Sequence, residues 1–429
     1  MLFNMKLFDK NWIAVMGLCL LTAAACRKTE DPPIKVGSQL PYKDSITKNL
    51  VQVLDSLPES SLYKAMFKRS DLQHYMDSLS MGSVNVPYTL FVPTDKALTA
   101  AGYTMDAIQA APVEVLDTLI RYLSLPGRLN PNTGIQTGLN CNPLMYPTTG
   151  LSGSAGGYPF GFGFPYYYTI NVSFASGALW LNGHKVGAQA LPIAATNGAI
   201  YRMDTIVQKP VTEVYQELNA DTSYSYYMAA MRVNDSLYTA QGIIGATYYN
   251  VNYCDTCGLQ FSNADNTFAG LQPFAIVLAP TNDAFRKAGF QTIGDISQYV
   301  NNSALATAPY GTYMLTNLDS VLWNHQFLFG FLYTIDPFNN LYYSINNGNY
   351  IYTNDMLNDP AILQYLIVPS GSTLKFHVNN IVFRNEGGRP VAYRLDNLSG
   401  PGAVVTDPAN ITDLNGVVHR VDHLLMPAH

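Results

Sequence analysis

The feature that most constrains this chain is an internal repeat, because the same short blocks occur twice and in the same order. Residues 88–98 read as an apolar run followed by Pro-Thr-Asp-Lys-Ala-Leu, and residues 275–285 read as an apolar run followed by Pro-Thr-Asn-Asp-Ala-Phe. A later block that begins with Asn-Gly occurs at residues 197–207 and again at residues 415–425. Two blocks in one order predict a duplicated unit.

A third, weaker pair lies between these blocks. Residues 117–122 correspond to residues 319–324, and both stretches predict amphipathic helices. The chain has 429 residues, which fits two or three domains at about 100–200 residues each. We therefore predict two homologous domains, at residues 45–210 and 211–428.

The first block predicts a strand that turns directly into a helix. An apolar run of this length indicates a buried strand, and proline ends it because proline has no N–H for the sheet (Pro93 and Pro280). Thr94 and Thr281, or the Asp or Asn that follows each, are predicted to cap the next helix. No nucleophile, acid or base with a partner occurs in this block, so it predicts structure rather than catalysis.

The Asn-Gly block predicts a turn followed by the last strand of each domain. Ahead of the first apolar run, residues 46–80 place apolar side chains three and four positions apart, which predicts helices. The second domain opens in the same way from Val214 onward.

Together these motifs resemble the fasciclin-like domain. The positions that carry the resemblance, taken as structural, are Pro93, Thr94, Asp95, Asn197, Gly198 and Asp204 in the first copy and Pro280, Thr281, Asn282, His325, Asn415, Gly416, His419 and Asp422 in the second. The resemblance implies an α+β fold, in which each domain is a β-wedge or sandwich of about seven strands with several packed helices. It also implies adhesion or ligand binding, generally without catalysis and without a cofactor.

The family's central Tyr-His motif is incomplete in both copies. Tyr122 is followed by Leu123, while Asn324 precedes His325. In the family this neighbourhood is tied to adhesion, and we do not transfer that role here.

The N-terminal residues predict export. Two lysines precede an apolar stretch at residues 12–25, which is too short for the ~20 residues of a membrane-spanning helix and fits a signal peptide. It ends in Ala-Ala-Ala followed by Cys26, which resembles the lipobox of bacterial lipoproteins. That resemblance implies a signal peptide at residues 1–25, a lipid such as palmitate on Cys26, and a tether at residues 26–44. The alternative is ordinary secretion with Cys26 incidental.

The charged residues after Cys26, from Arg27 to Asp31, resemble the surface-export signals of Bacteroidetes lipoproteins. We therefore expect a lipid-anchored outer-membrane protein exposed at the cell surface, with the periplasmic face as the alternative. In that group such lipoproteins often accompany nutrient-uptake machinery. Only 13% of residues are charged, the formal net charge is −6, and basic runs are absent from the sequence after the leader, which excludes nucleic acid as a partner.

An aromatic, glycine-rich insertion stands out within residues 129–178, which we interpret as a loop. Its candidate ligand-contact residues are Tyr158, Phe160, Phe162, Phe164, Tyr166, Tyr167 and Tyr168. Aromatic rings give a large contact area with few torsions to immobilise, so they suit a glycan or a partner protein. The alternative is that they pack on their own domain.

The remaining cysteines and histidines offer weaker signals. Cys254 and Cys257 are a candidate disulfide, with free thiols or a redox or metal role as alternatives, and Cys141 is interpreted as a loop thiol. His419 and His423 lie four apart on a predicted strand, so a metal site there competes with structural roles. We predict no metal and no cofactor.

The sequence thus predicts a non-catalytic envelope lipoprotein that binds through two fasciclin-like domains. Its partners would be the membrane, through the lipid, and a protein or glycan at the cell surface. One alternative is a structural or accessory subunit of an outer-membrane uptake complex. A glycan-active enzyme is the other, and it would need two acidic side chains facing each other across a cleft.

Overall fold

The computed structural model describes residues 46–79, 86–131, 138–146, 167–188, 191–240, 255–256, 259–260, 274–301, 306–307, 314–329, 350–363 and 380–428. The predicted signal peptide, Cys26 and the tether lie outside the described residues. Lys48–His429 forms one compact unit. We call residues 46–210 the first half and residues 211–428 the second half, and the predicted domain boundaries stay a prediction.

The first half contains both helices and strands. Its helices are α1 (Leu50–Ser56), α2 (Ser61–Arg69), α3 (Leu72–Leu79), α4 (Asp95–Ala100), α5 (Met105–Ala110) and α6 (Val113–Tyr122). Its strands are β1 (Tyr88–Pro93), β2 (Ser124–Pro126), β3 (Leu139–Cys141), β4 (Ile170–Ala175), β5 (Ala178–Leu181), β6 (His184–Gly187), β7 (Ile193–Ala195) and β8 (Gly198–Met203).

The second half follows the same plan. Its helices are α7 (Val214–Ala220), α8 (Ser225–Ala240), α9 (Asn282–Lys287), α10 (Ile293–Asn301), α11 (Asp319–Leu322) and α12 (Thr353–Asn358). Its strands are β9 (Phe274–Pro280), β10 (Ala306–Thr307), β11 (Met314–Leu315), β12 (Gln326–Phe329), β13 (Ile381–Glu386), β14 (Arg389–Arg394), β15 (Ala403–Asp413) and β16 (Gly416–Val421). The predicted α+β fold class is confirmed.

The strands form sheets with related orders in the two halves. In the first half one sheet has the order β2-β1-β8-β7 and a second has the order β3-β4-β5-β6. In the second half a single sheet has the order β12-β9-β16-β15-β14-β13, beside a two-stranded ribbon of β10 and β11. The central parallel pair, β1 with β8 and β9 with β16, is common to both.

The duplication predicted from the repeats extends to individual hydrogen bonds. Tyr88 pairs with Gly198 in the first half, and Ala275 pairs with Gly416 in the second. On the other side of the central strand, the backbone N–H groups of Phe91 and Leu278 donate to the carbonyls of the residues at positions 123 and 325, at 2.9 and 2.8 Å. The two halves are therefore copies of one unit in backbone register.

The strand-to-helix corners form as predicted, and threonine is the cap in both. Thr94 accepts a hydrogen bond from the backbone N–H of Ala97 at 3.2 Å, and Thr281 accepts one from Ala284 at 3.3 Å. The Asp or Asn that follows bonds a preceding helix instead. The helix predicted at residues 319–324 is shorter than expected, because α11 spans only Asp319–Leu322.

The halves differ in how their second set of strands is joined. In the second half, β15 is one long strand that pairs with both β14 and β16 and carries an irregularity between Thr406 and Ile411. In the first half, β6 and β7 are separate strands, and the backbone N–H of Asp204 donates to Val186 at 2.6 Å to join the two sheets. The single strand β15 of the second half therefore takes the place of β6 and β7 of the first half. Because β15 is continuous, the strands that form two sheets in the first half form one sheet in the second.

The apolar runs of the repeat lie at the centre of each core. β1 is buried along its whole length. In β9, Ala275 and Val277 face the cluster that contains the helices α7 and α8, while Ile276 and Leu278 face the cluster that contains α12 and β13–β15. Burial on both faces explains why these strands are apolar without alternation.

Three sequence-based interpretations need correction. The stretch at residues 129–178 is not wholly a loop, since it contains β3, all of β4 and the first residue of β5. Cys141 is the last residue of β3, opposite Ile170, and not a loop residue. His423 lies beyond the end of β16, so it does not share a strand face with His419. Within the described parts of the chain, no helix is both long and apolar enough to cross a membrane.

Candidate functional site

A cleft of about 290 Å³ opens where the two halves meet. Trp180 and His184 line it from the first half, and Asn354, Arg389 and Asp407 line it from the second. The remaining lining residues are Ala175, Ser176, Thr353, Leu357, Asn358, Gly388, Pro390, Val405, Ala409 and Asn410. The cleft therefore combines one large aromatic ring with amides, one cation and one carboxylate.

The wall from the first half is built by β4, β5 and β6. Asn182 and Gly183 form the two-residue turn between β5 and β6, and both have positive φ, at 48° and 71°. Asn-Gly suits such a turn because both positions need left-handed backbone. The turn directs the ends of β5 and β6 toward the second half, so that Trp180 and His184 lie beside it.

The wall from the second half is built by α12, by the irregular part of β15 and by the β13–β14 turn with the start of β14, which carries Arg389. Asn410 has a φ of 60° and lies within this irregularity. Its side-chain oxygen accepts from the backbone N–H of Thr353 at 2.9 Å, and its Nδ2 donates to the carbonyl of Gly183 at 2.9 Å. A single asparagine thus fixes the start of α12 and joins it to the β5–β6 turn.

Further hydrogen bonds between the halves lie beside the cleft. Asn354 Nδ2 donates to Ser173 Oγ at 2.9 Å, and the backbone N–H of Gly138 donates to Asp355 Oδ1 at 2.7 Å. Burial raises the pKa of Asp355 to about 6, although hydrogen bonds from Tyr352 and Gly138 oppose the shift. The two walls are therefore held together by buried polar contacts.

The cleft carries balanced charge. Arg389 and Asp407 lie 3.8 Å apart and are exposed. Burial lowers the pKa of His184, with a hydrogen bond to the backbone of Asn410 opposing the shift, so this imidazole is neutral at pH 7. Asp407 is the one carboxylate among the described lining residues, so the facing acid pair that the glycan-active alternative needs is not present in this lining.

The acidic or amide residue after each capping threonine caps a different helix. Asp95 accepts from the backbone N–H of Leu62 and from Ser61 Oγ, both at 2.8 Å, at the start of α2. Asn282 likewise accepts from the backbone N–H of Tyr226 at 2.9 Å, at the start of α8. These side chains therefore hold the N-terminus of a preceding helix, α2 or α8, against the strand-to-helix corner by hydrogen bonds.

The Asn-Gly positions are also structural. Asn197 and Asn415 accept from the first backbone N–H of α1 and α7, at 2.8 and 2.9 Å. A Cβ at Gly198 or Gly416 would lie 2.1 or 2.0 Å from a carbonyl oxygen of the paired parallel strand. Glycine is therefore needed at both positions for close approach.

The motif histidines are buried and hydrogen-bonded. Leu425 donates to His325 Nε2 at 2.9 Å, and His325 Nδ1 in turn bonds the carbonyl of Leu278 at 2.7 Å. His419 bonds Asn410 and the carbonyl of Ile351 in a similar way. Burial lowers the pKa of both imidazoles to about 4. Both side chains are fully buried, so neither presents a binding surface.

The other predicted site residues fall in several places. Pro93 and Pro280 end their strands, and the side chain of Asp422 accepts from the backbone N–H of Val404 at 2.8 Å. Tyr168 packs against the first core, with the ammonium of Lys209 4.8 Å from its ring centroid. The ligand-contact role of Tyr167 and Tyr168 stays a prediction. The other predicted site residues lie outside the described residues, namely Tyr158, Phe160, Phe162, Phe164, Tyr166, Cys254 and Cys257.

Sequence reasoning missed a buried acidic cluster in the second half. Asp235, Asp255 and Asp319 lie around Asn234, whose Nδ2 donates to Asp255 and Asp319 at 2.8 Å each. Burial raises the pKa of all three carboxyls, most strongly that of Asp255. Among the described residues no group of His, Cys, Asp and Glu side chains is arranged to hold a metal ion.

The first half shows what this cluster lacks. There the equivalent aspartates are Asp71 and Asp117, and Arg121 forms an ion pair with Asp71. The position equivalent to Arg121 in the second half is Trp323. Aligning the two repeats shows that the second half keeps the two aspartates but lacks the arginine, and this difference could have indicated the cluster. The alignment does not indicate that Asp255 joins them.

Comparison with known proteins extends the sequence resemblance. Residues 58–209 match the family model of the Fasciclin domain. Among solved structures, the chain is similar to a FAS1 domain pair from the insect cell adhesion molecule fasciclin I, at 13% identity and a TM-score of 0.31, covering 85% of this chain and 95% of that chain. A search of curated proteins gives no match. The fasciclin resemblance is thus confirmed for a segment of the first half, while the Bacteroidetes lipoprotein type stays a prediction.

Proposed function

We propose that this chain is a non-catalytic binding protein of the bacterial cell envelope, anchored by a lipid on Cys26, that captures its ligand in the cleft between the two halves. The observation that carries this proposal is the cleft itself. Both halves contribute exposed aromatic or polar side chains to it, and buried hydrogen bonds fix its walls. A concave site with a few convergent polar groups is the usual form of a binding site.

Three further observations support the proposal. Fasciclin domains are often adhesion or binding modules, and residues 58–209 match that family model. The lining holds hydroxyls, amides and one ion pair, which suits recognition of a polar ligand. The sequence from Lys6 to Cys26 supports the anchor, because a short apolar run before Ala-Ala-Ala-Cys fits lipoprotein processing.

The anchor is tested with a single substitution. Cells that express the chain are labelled with radioactive palmitate, and Cys26→Ser is the variant. We expect the wild type to be labelled and Cys26→Ser to carry no label. In detergent phase separation, Cys26→Ser should also move from the detergent phase to the aqueous phase. Label retained by Cys26→Ser would overturn the anchor. Protease shaving of intact cells, with a periplasmic control protein, then distinguishes surface display from the periplasmic face.

The cleft is tested by adhesion. Cells with the double variant Arg389→Ala/Asp407→Ala are compared with wild-type cells for retention on surfaces coated with glycans or matrix proteins. The matched control is Asp283→Ala/Arg286→Ala, which also removes one exposed ion pair, with 2.5 Å between its charged atoms, but not from the cleft lining. We expect retention to fall about tenfold for the cleft variant, as for a loss of ~1.4 kcal/mol, and to persist in the control. Equal retention in both variants would contradict a role for the cleft.

A further inference from the structure

We infer that the cleft binds the ring of a neutral sugar, stacked on Trp180, either as a free saccharide or as a unit of a larger glycan. This inference rests on the proposed function and names its ligand class. It follows from the aromatic surface, the charge balance and the size of the cleft.

Trp180 offers a ligand mainly its ring. Its indole N–H already donates to the carbonyl of Ala175 at 3.2 Å, which fixes the side chain to the β4–β5 turn. The side chain is only partly buried and lines the cleft. An aromatic ring held in this way suits a flat ligand with one apolar face, and the C–H face of a pyranose has that character.

The charge balance of the lining excludes a preference for ionic ligands. Arg389 and Asp407 carry opposite charges 3.8 Å apart, and His184 is neutral at pH 7 because burial lowers its pKa. A phosphate or a uronate would require an excess of cations, and an amine would require an excess of carboxylates. Sugar hydroxyls both donate and accept, so they can bond to Arg389 and Asp407 at the same time.

The size of the cleft also suits a sugar. Asn354 lines the cleft, and its side chain is fixed because its Nδ2 donates to Ser173 Oγ. The cleft volume of about 290 Å³ lies at the small end of ligand sites, which typically span roughly 300–1,000 Å³, so one or two sugar rings fit.

The experiment uses the tryptophan content of the chain. The chain has three tryptophans, and of the two that lie in the described residues, Trp180 and Trp323, only Trp180 lines the cleft. Trp12→Phe and Trp323→Phe in the full-length chain leave Trp180 as the single indole, and the protein is kept in a detergent without a sugar headgroup. Its emission is titrated with methyl glucoside, methyl galactoside, methyl mannoside and the matched methyl glucuronide.

We expect a saturable change in emission with at least one neutral glycoside, and binding about tenfold weaker or worse for the glucuronide. Asp407→Ala in the same background should remove the change, and Trp180→Phe with Trp323 retained should show none. Polysaccharides and free saccharides are then tested as competitors of the bound glycoside. If the chain ends of an intact polysaccharide compete, the natural ligand is a unit of a larger glycan. If only free saccharides compete, the natural ligand is a soluble sugar.

Two outcomes overturn the inference. Binding of the glucuronide that equals or exceeds that of the neutral glycosides would exclude a neutral-sugar site. Absence of any saturable change with the neutral glycosides would exclude the ligand class. If adhesion still depends on Arg389 and Asp407 in that case, the proposed function survives with a different ligand. If adhesion is also unaffected, both fail.

Discussion

At the scale of single residues, the side chain after each capping threonine shows the limit of sequence reasoning. The sequence predicts that threonine or its neighbour caps the helix that follows, and threonine does so. The neighbour instead caps α2 or α8, because Asp95 bonds the backbone N–H of Leu62, 33 positions earlier. A cap supplied from so far along the chain leaves no local pattern, so only the fold reveals it.

This role predicts a difference between two substitutions of Asp95. Partial burial opposes its charge, but hydrogen bonds from Leu62 and Ser61 outweigh that effect and lower its pKa. Its stabilisation is therefore present above the unfolded pKa of about 3.9 and is lost as pH falls through the folded value. Asp95→Ala should cost ~1 kcal/mol at pH 7 in urea unfolding. Asp95→Asn, which copies Asn282, should cost less, and equal losses would contradict the capping role.

The acidic cluster makes a prediction of opposite sign. Burial, together with the charges of Asp235 and Asp319, raises the pKa of Asp255 well above its usual range. The folded state therefore favours the protonated acid, and its contribution to stability declines as pH rises above about 3.9 toward the folded pKa. Asp255→Asn stays neutral, and its side-chain oxygen can still accept from Asn234. The free energy of unfolding of Asp255→Asn should therefore increase relative to that of the wild type between pH 4 and pH 7.

Asp255→Ala serves as the control in the same urea titrations. It also removes the titrating group, but it leaves Asn234 without one of its partners, so it should be about 1–3 kcal/mol less stable than Asp255→Asn at every pH. A loss at pH 7 in Asp255→Asn as large as in Asp255→Ala would show that the charge is tolerated.

At the scale of elements, the repeated blocks predict the central strands, the corners and the final strands. They do so because these elements depend on local signals, such as an apolar run ended by proline or an Asn-Gly turn. The bend in β15 and the shortness of α11 follow instead from tertiary contacts. Asn410 keeps its left-handed backbone because Gly183 and Thr353 bond its side chain. Such positions cannot be recognised from one sequence.

The parallel pairing predicts contrasting effects for two glycines in the second half. A Cβ at Gly416 would lie 2.0 Å from the carbonyl oxygen of Ala275 and 2.8 Å from Val214 Cγ2. Gly416→Ala must therefore separate β9 from β16 and should cost about 1–3 kcal/mol or more in thermal unfolding.

Gly294 provides the matched control for this substitution. It lies in α10, and the nearest atom to an added Cβ is 3.4 Å away, on Thr292. Gly294→Ala should leave stability unchanged or raise it by up to ~1 kcal/mol, because alanine restricts the unfolded chain and favours a helix. A mild effect of Gly416→Ala, comparable to that of Gly294→Ala, would contradict the close approach of the two strands.

At the scale of the whole molecule, the contact between the two halves, formed by Asn410, Gly183 and their neighbours and called the join, could not be predicted from the sequence. Its hydrogen bonds connect residues far apart in sequence, as Asn410 and Gly183 are 227 positions apart. The sequence accordingly predicts the site in the aromatic insertion, whereas the described cleft is lined by strands and turns of both halves and by α12 of the second half. Trp180 and Arg389 carry no motif, and only the packing of the halves brings them to one cleft.

Two glycine turns in the first half test this join. Gly177 and Gly183 both have a φ of 71°. An added Cβ meets nothing within 4 Å at Gly177, but at Gly183 it would lie 2.6 Å from Tyr352 Cβ and 2.7 Å from Asn410 Cγ. Gly177→Ala should therefore lower the free energy of unfolding only by the cost of placing alanine in a left-handed backbone conformation, about 1–2 kcal/mol. Gly183→Ala should cost about 1–3 kcal/mol more, because the turn must withdraw from the second half.

The measurement is hydrogen exchange by mass spectrometry, combined with urea unfolding. In Gly183→Ala we expect faster exchange at residues 350–358 and at the β5–β6 turn, with exchange in β1 and β8 unchanged, since those strands lie away from the join. Weaker coupling should also separate unfolding into two transitions, one for each half, while Gly177→Ala keeps the wild-type number. If the two variants unfold and exchange alike, Gly183 does not join the halves, and the cleft would lack the fixed walls on which sugar binding depends.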